Sequence, residues 1–240
     1  MTSTLTEVLG QIVRGPEETE LFGPALRIDP CCASLRPGHP PTQAMVVTTV
    51  ARRLIELSKE GAKLKTLLVA GDIDPMRHPE FRQISENLRE LGHKWFPKAH
   101  LALISDGTGL TDPDLRHSLI AYHQPILRLD AGTQKTFTAL TGEPAKAYKD
   151  LVEGLAQLES ERWLLRACFV SGPVDNSSEA EVRSWLAQVA KLAPSGLQLT
   201  TPAKADRSKK LQPVSKSRLE AIADAAAKKT GRNVAIVPAA

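Results

Sequence analysis

Three classes of residue in this 240-residue chain have the chemistry to act on, or hold, another molecule. The first is the cysteines, Cys31, Cys32 and Cys168. Thiolates attack electrophiles and ligate zinc and iron–sulfur clusters. Cys31 and Cys32 share a Pro/Gly-rich loop with His39, so that loop holds three metal-ligating side chains; the plainer reading is two free thiols. The second class is a set of acids and hydroxyls that follow apolar runs: Asp29, Asp72, Asp74, Ser105, Asp106, Asp130 and Ser171. Of these, Asp72, Asp74 or Asp130 would serve as a general base. The third class is the arginines inside apolar runs, Arg27, Arg128 and Arg166. Arg128 has the chemistry of a clamp for a phosphate or carboxylate. The chain has no G-x4-G-K-[ST], G-x-G-x-x-G or H-E-x-x-H motif and no nucleophile elbow.

The elements that must position these residues alternate between extended and amphipathic segments. Candidate strands are 25–29, 66–70, 101–104, 126–129, 163–170, 197–199 and 233–237. Candidate helices lie between them. Thr42 stands where it would cap a helix with Val46, Val50, Leu54 and Leu57 at helical spacing. Phe81, Ile84, Leu88 and Leu91 mark a second helix, 112–122 a third, and Tyr148, Leu151, Leu155 and Leu158 a fourth. Ser178 is expected to cap a fifth, carrying Val182, Leu186 and Val189, and 215–229 a last. Strand–helix alternation of this kind implies parallel strands joined by right-handed crossovers. The fold class expected is α/β, a partial (βα)6 TIM-like barrel of parallel strands, with a doubly wound open sheet as competitor. Residues 1–24 read as an N-terminal extension and 25–240 as the barrel.

In either fold, ligands bind at the C-terminal ends of the strands. Every strand there delivers an acid, a hydroxyl or a glycine. Loops need these same residues for turns, so one such loop means little and six on one rim suggest a pocket. Alternation places Arg27 with Asp29, and Arg128 with Asp130, on common faces. Charges inside a parallel sheet are costly unless paired. The expectation is a network joining Arg27, Arg128 and Arg166 to Asp29, Asp74 and Asp130; the alternative is that these arginines snorkel outward.

Composition limits the setting. Hydrophobic residues make up 42% and charged residues 24%, which suits a globular core and excludes disorder as the main state. No run approaches the 18 or so apolar residues of a membrane span. The acidic N-terminal stretch lacks the apolar core of a secretory signal, and a sparse, odd set of cysteines argues against a disulfide framework, so a cytoplasmic chain with no membrane partner is expected. The formal charge is +4, and residues 203–232 hold nine basic and three acidic side chains. That segment could attract RNA. It has no interleaved aromatic residue to stack bases, so a solvated face is the simpler reading.

From the second strand onward the sequence resembles a known family. VAGDIDPMRHPEF (69–81) resembles the GDGEPTLHPEF-type segment of radical S-adenosylmethionine proteins, nearest the wyosine-base and molybdenum-cofactor-type branch. ISDGTGL (104–110), LRLDAGTQKTF (127–137), FVSGPVDNSSEAEV (169–182), GLQLTTP (196–202) and LQPVSKSRLEAIA (211–223) are similar to later segments of that family, in order. The resemblance spans roughly 25–230 and implies the partial barrel. It also implies S-adenosylmethionine and a [4Fe–4S] cluster held by C-x3-C-x2-C in the loop after the first strand. Here that loop has only the adjacent pair Cys31 and Cys32, and Cys168 belongs to the fifth strand. Asp74 stands at the family's cofactor-binding glutamate, Ile73 at a glycine, Asp106 at an asparagine and Arg128 at a serine; His78 matches a scaffold histidine. By this resemblance the cofactor-facing residues are Asp72, Asp74, Ser105, Asp106, Arg128, Asp130 and Ser171.

Three functions follow. One is a barrel that has lost the cluster and S-adenosylmethionine and acts as a non-radical binding or scaffold protein. Another is an active radical enzyme with unorthodox ligation through Cys31 and Cys32, modifying RNA or a small molecule. The third is an iron-free barrel enzyme acting on an anionic metabolite.

Overall fold

The computed structural model describes residues 5–32, 39–158 and 162–238. The chain forms two compact units, 1–125 and 126–240. Of the cysteine loop, 33–38 lie outside the described residues.

The first unit opens with helix α1 (Leu5–Ile12) and an antiparallel hairpin, β1 (Val13–Thr19) and β2 (Gly23–Ile28). Both α1 and β1 fall within the expected extension. β1 reads VRGPEET, with no alternation of apolar residues to announce a strand. After α2 (Gln43–Lys59), strands β3 (Thr66–Val69) and β4 (His100–Ser105) continue in parallel from β2, with Arg27, Leu68 and Ala102 side by side. On the face they share, Leu68, Ala70 and Ala102 form an apolar cluster with Phe22 and Ile104 against it. α2 buries Val46, Val50, Leu54 and Leu57, and Thr42 caps it by accepting from Met45 N at 3.3 Å. α3 (Phe81–Trp95) buries Phe81, Ile84 and Leu88. The expected helix over 112–122 is shorter: α4 (Pro113–Ser118) gives way to a 3-10 turn at Leu119–Ala121, which lets Tyr122 stack on Phe81 and share a 2.8 Å hydrogen bond with Ser85.

The unit boundary falls inside β5 (Gln124–Arg128). In the second unit β5 is followed in parallel by β6 (Leu164–Cys168), and α5 (Gln134–Thr141) and α6 (Ala145–Ala156) lie between them in sequence. α5 escapes sequence reading because it buries no residue and so carries no apolar stripe. The run expected as one strand over 163–170 is two. Val170–Ser171 forms β7, which leaves the parallel sheet and later pairs with β9 (Gln212–Pro213). Buried Asn176 explains the break: its Nδ2 donates to the Cys168 carbonyl and its Oδ1 accepts from Val170 N, so a side chain supplies the partners a strand would have given. α7 (Glu179–Leu192), β8 (Gly196–Thr200), α8 (Lys216–Thr230) and β10 (Asn233–Ile236) follow, with β8 beside β6 and β10 beside β8.

α7 packs Trp185 edge-on to Phe169 at 5.3 Å, and the indole donates to Leu129 O at 2.8 Å. Phe169, Ala167 and Leu165 therefore face α7. By alternation Arg166 and Cys168 face the other way, in register with Arg128 and with Gln198 and Thr200. Ser178 occupies the N-cap of α7 as expected but makes no capping bond; its hydroxyl turns back to Asp175 O.

Candidate functional site

In the first unit three strand ends supply the rim. Asp29 follows β2, and its Oδ1 accepts from Cys31 N at 3.0 Å. Gly71 lies against that carboxylate: a Cβ there would meet Asp29 Oδ1 at 2.3 Å, so the Gly71 position is kept bare by Asp29. Burial raises the Asp29 carboxyl above the usual range, against the pull of its bond from Cys31 and the charge of Arg27. Cys31 is buried, and its thiol donates to the carbonyls of Asp74 at 3.5 Å and Pro75 at 3.9 Å. Burial, with the charges of Asp29 and Asp74 beside it, pushes that thiol up to about 12. Cys32 is pushed up to about 11, again by burial and Asp29.

Asp74, Ser105 and Asp106 are brought together. Asp74 Oδ1 accepts from Met76 N at 2.8 Å and from the Ser105 hydroxyl at 3.1 Å; its other oxygen accepts from Asp106 N. Ser105 in turn accepts from Gly107 N. Asp106 accepts from Thr108 N and faces Arg77 at 3.7 Å. Burial and the nearby Asp106 charge raise the Asp74 carboxyl to about 6, opposed by these hydrogen bonds. Asp29, Asp74 and Asp106 thus share one local pattern: each carboxylate accepts the N–H two residues on, the turn that favours Asp after a strand. Asp72 is exposed, and its charge adds to the rise of the Asp29 carboxyl; Ile73 is 56% exposed. His39 is exposed. His78 is buried; Nδ1 accepts from Glu80 N and Nε2 donates to Pro41 O, so both ring nitrogens are spent on the backbone. Among the described residues no cluster of three or more His, Cys, Asp or Glu side chains is placed to hold a metal.

In the second unit Arg128 and Asp130 pair, as their shared face requires. Asp130 Oδ1 also accepts from Cys168 N at 2.8 Å, and its carbonyl accepts from Asn176. At the other two positions of the expected three-arginine, three-aspartate network, charge links Arg27 to Asp29 and Arg166 to Asp130, while the hydrogen bonds go to other groups. Arg27 Nε donates to the Ala70 carbonyl, and buried Arg166 gives two hydrogen bonds, from Nε at 2.9 Å and Nη2 at 2.6 Å, to the single oxygen Gln198 Oε1. Burial first, then repulsion from Arg128, lowers Arg166 to about 10, so it is a cation at neutral pH. Cys168 is pushed up to about 11 by burial and by Asp130. Ser171 lies on β7, outside the parallel sheet.

Sequence reading missed Gln198, Asn176 and Glu181. Glu181 is buried on α7 and accepts from Gly132 N and from the hydroxyls of Thr133 and Thr136, closing the D-A-G-T turn after β5. A polar residue within an apolar element was the available signal for Gln198 and Glu181; Asn176 sits in a polar loop, Val174–Ser178, that carries no such signal.

The same architecture recurs in solved structures. TYW1 with a lysine–pyruvate adduct bound matches 85% of this chain and 73% of its own at a TM-score of 0.61 and 12% identity. A domain of pyruvate-formate lyase-activating enzyme from Bacteroides vulgatus matches 72% and 98% at 0.55 and 16%. SuiB of Streptococcus suis, bound to S-adenosylmethionine, matches 87% and 46% at 0.59 and 12%. This chain has the fold of the radical S-adenosylmethionine enzymes. At these identities the likeness is one of fold: an α/β chain of the partial-barrel type with an unclosed, mostly parallel sheet. No family model matches the sequence, and no curated protein matches it. Among the described residues no helix is long and apolar enough to cross a membrane.

Proposed function

We propose that this radical-S-adenosylmethionine-fold chain works without the [4Fe–4S] cluster, as a cytoplasmic, non-radical binding or scaffold protein whose ligand is an anionic small molecule. The observation that carries the reading is the state of the two loop cysteines. A cluster of this kind needs three well-placed thiolates. Cys31 and Cys32 are adjacent, which does not give the C-x3-C-x2-C spacing, and the buried Cys31 sulfur is engaged with the Asp74 and Pro75 carbonyls. Cys168 lies in the other unit. This donor set does not fit the cluster. Asp74, which by the family resemblance would meet S-adenosylmethionine, accepts three hydrogen bonds from its own loops, and this supports the reading.

The test is anaerobic reconstitution with iron and sulfide, reading absorbance near ~400 nm and iron per chain. The expected result is a colourless protein whose iron content equals that of a Cys31→Ser/Cys32→Ser variant. A stable brown cluster lost in that variant would overturn the proposal and make the chain a radical enzyme with unorthodox ligation.

A further inference from the structure

Arg166 is the most unusual side chain in the second unit. It sits mid-strand in β6 with 4% of its surface exposed, and among the described residues the acceptor holding its guanidinium is a neutral amide oxygen that takes two of its N–H groups. Its direct cross-strand neighbour on β5 is a second arginine, Arg128. Adjacent strands lie about 4.8 Å apart, so the two stems leave the sheet side by side, and like charges in that relation repel. Of the charges acting on Arg166, the repulsion of Arg128 outweighs the attraction of Asp130, whose carboxylate already binds Arg128 and Cys168 N. A buried cation without a carboxylate of its own is strongly disfavoured unless something compensates it. The row is open at one end: the Arg128 side chain is 43% exposed, whereas Arg166 lies deep.

We infer that Arg128 and Arg166, with Gln198 orienting the deeper guanidinium, form the seat of a small oxyanion, the phosphate or carboxylate group of the bound ligand. Planar guanidinium forks match both groups and bind them by paired N–H···O bonds. Gln198 holds the Nε and Nη2 edge of Arg166; in this inference the anion takes the remaining N–H groups. The inference rests on the binding-protein reading above and gives that site its ligand chemistry.

The experiment uses the whole, iron-free chain at constant ionic strength with chloride as the control salt. Inorganic phosphate, citrate and S-adenosylmethionine are titrated by calorimetry, and thermal midpoints are followed in parallel. Saturable binding of phosphate or citrate is expected, and the stronger of the two identifies the anion. Arg166→Gln should weaken it at least about tenfold, the loss of a charge-assisted pair. Gln198→Glu is the decisive variant. It hands Arg166 an internal carboxylate of the same shape, so it should abolish anion binding while holding or raising the thermal midpoint. Saturable binding that survives Gln198→Glu, or no saturable binding of phosphate or citrate by the wild type, would overturn the inference. Binding of S-adenosylmethionine alone would also overturn it. The reconstitution experiment reads iron and not anions, so failure of the cluster-free reading and failure of this site are seen separately.

Discussion

Replacing Asp74 by asparagine should change the pH dependence of stability, and the change can be worked out from the site. The Asp74 carboxyl is raised from 3.8 to about 6, chiefly by burial and then by the Asp106 charge. A carboxyl raised on folding binds its proton more tightly in the native state. It therefore costs nothing below about pH 4, and its penalty grows as the pH climbs through the window between the unfolded and folded values. The full penalty at neutral pH is on the order of 3 kcal/mol. Between pH 5 and pH 7.5 the portion that develops is on the order of 1 kcal/mol. Asparagine does not titrate, so the stability difference between wild type and Asp74→Asn should drift in the variant's favour by about that amount over this range. Whatever constant offset arises because the amide presents a donor to Met76 N or Asp106 N, the slope survives it. Denaturant unfolding of both proteins at half-unit pH steps reads the drift directly. Asp106→Asn, which removes the nearby charge, should shrink it. A difference that stays flat within a few tenths of a kcal/mol from pH 5 to pH 7.5 would refute the claim that Asp74 is held as a costly buried carboxylate.

Two further outcomes follow from the packing. Thr42→Ala should cost about 1 kcal/mol, because its side chain accepts from Met45 N, whereas Ser178→Ala should stay within about 0.5 kcal/mol, because that hydroxyl makes no capping bond; paired denaturation curves check the contrast. Gly132→Ala should cost more than about 2 kcal/mol in the same assay, since a Cβ there would meet Trp185 N at 2.2 Å and Glu181 O at 2.6 Å, both backbone atoms that cannot swing aside.

Much of the scaffold is legible in the chain because burial leaves a periodic mark. Val46, Val50, Leu54 and Leu57 announce α2, and the fully buried TLLV run announces β3. Elements that bury little leave no such mark, which is why α5 and the polar strand β1 escape. The absence of a C-x3-C-x2-C loop is likewise a matter of sequence alone. So are the shared faces of Arg128 with Asp130 and of Arg166 with Cys168, because alternation along a strand is local.

Tertiary structure decided the partners. Three aspartates of the strand-end rim, Asp29, Asp74 and Asp106, are spent on turns, since a carboxylate after a strand finds the N–H two residues ahead before it finds anything distant. Asn176 ends a strand from six to eight residues away in sequence. Arg166 takes Gln198, 32 residues along, rather than any of the aspartates expected for it. Which polar groups meet depends on the register between strands far apart in the chain, and no periodicity within one strand encodes it. The sequence places an arginine on a buried face; the register of β5, β6 and β8 sets a second arginine beside it and a neutral amide where a counter-ion was expected.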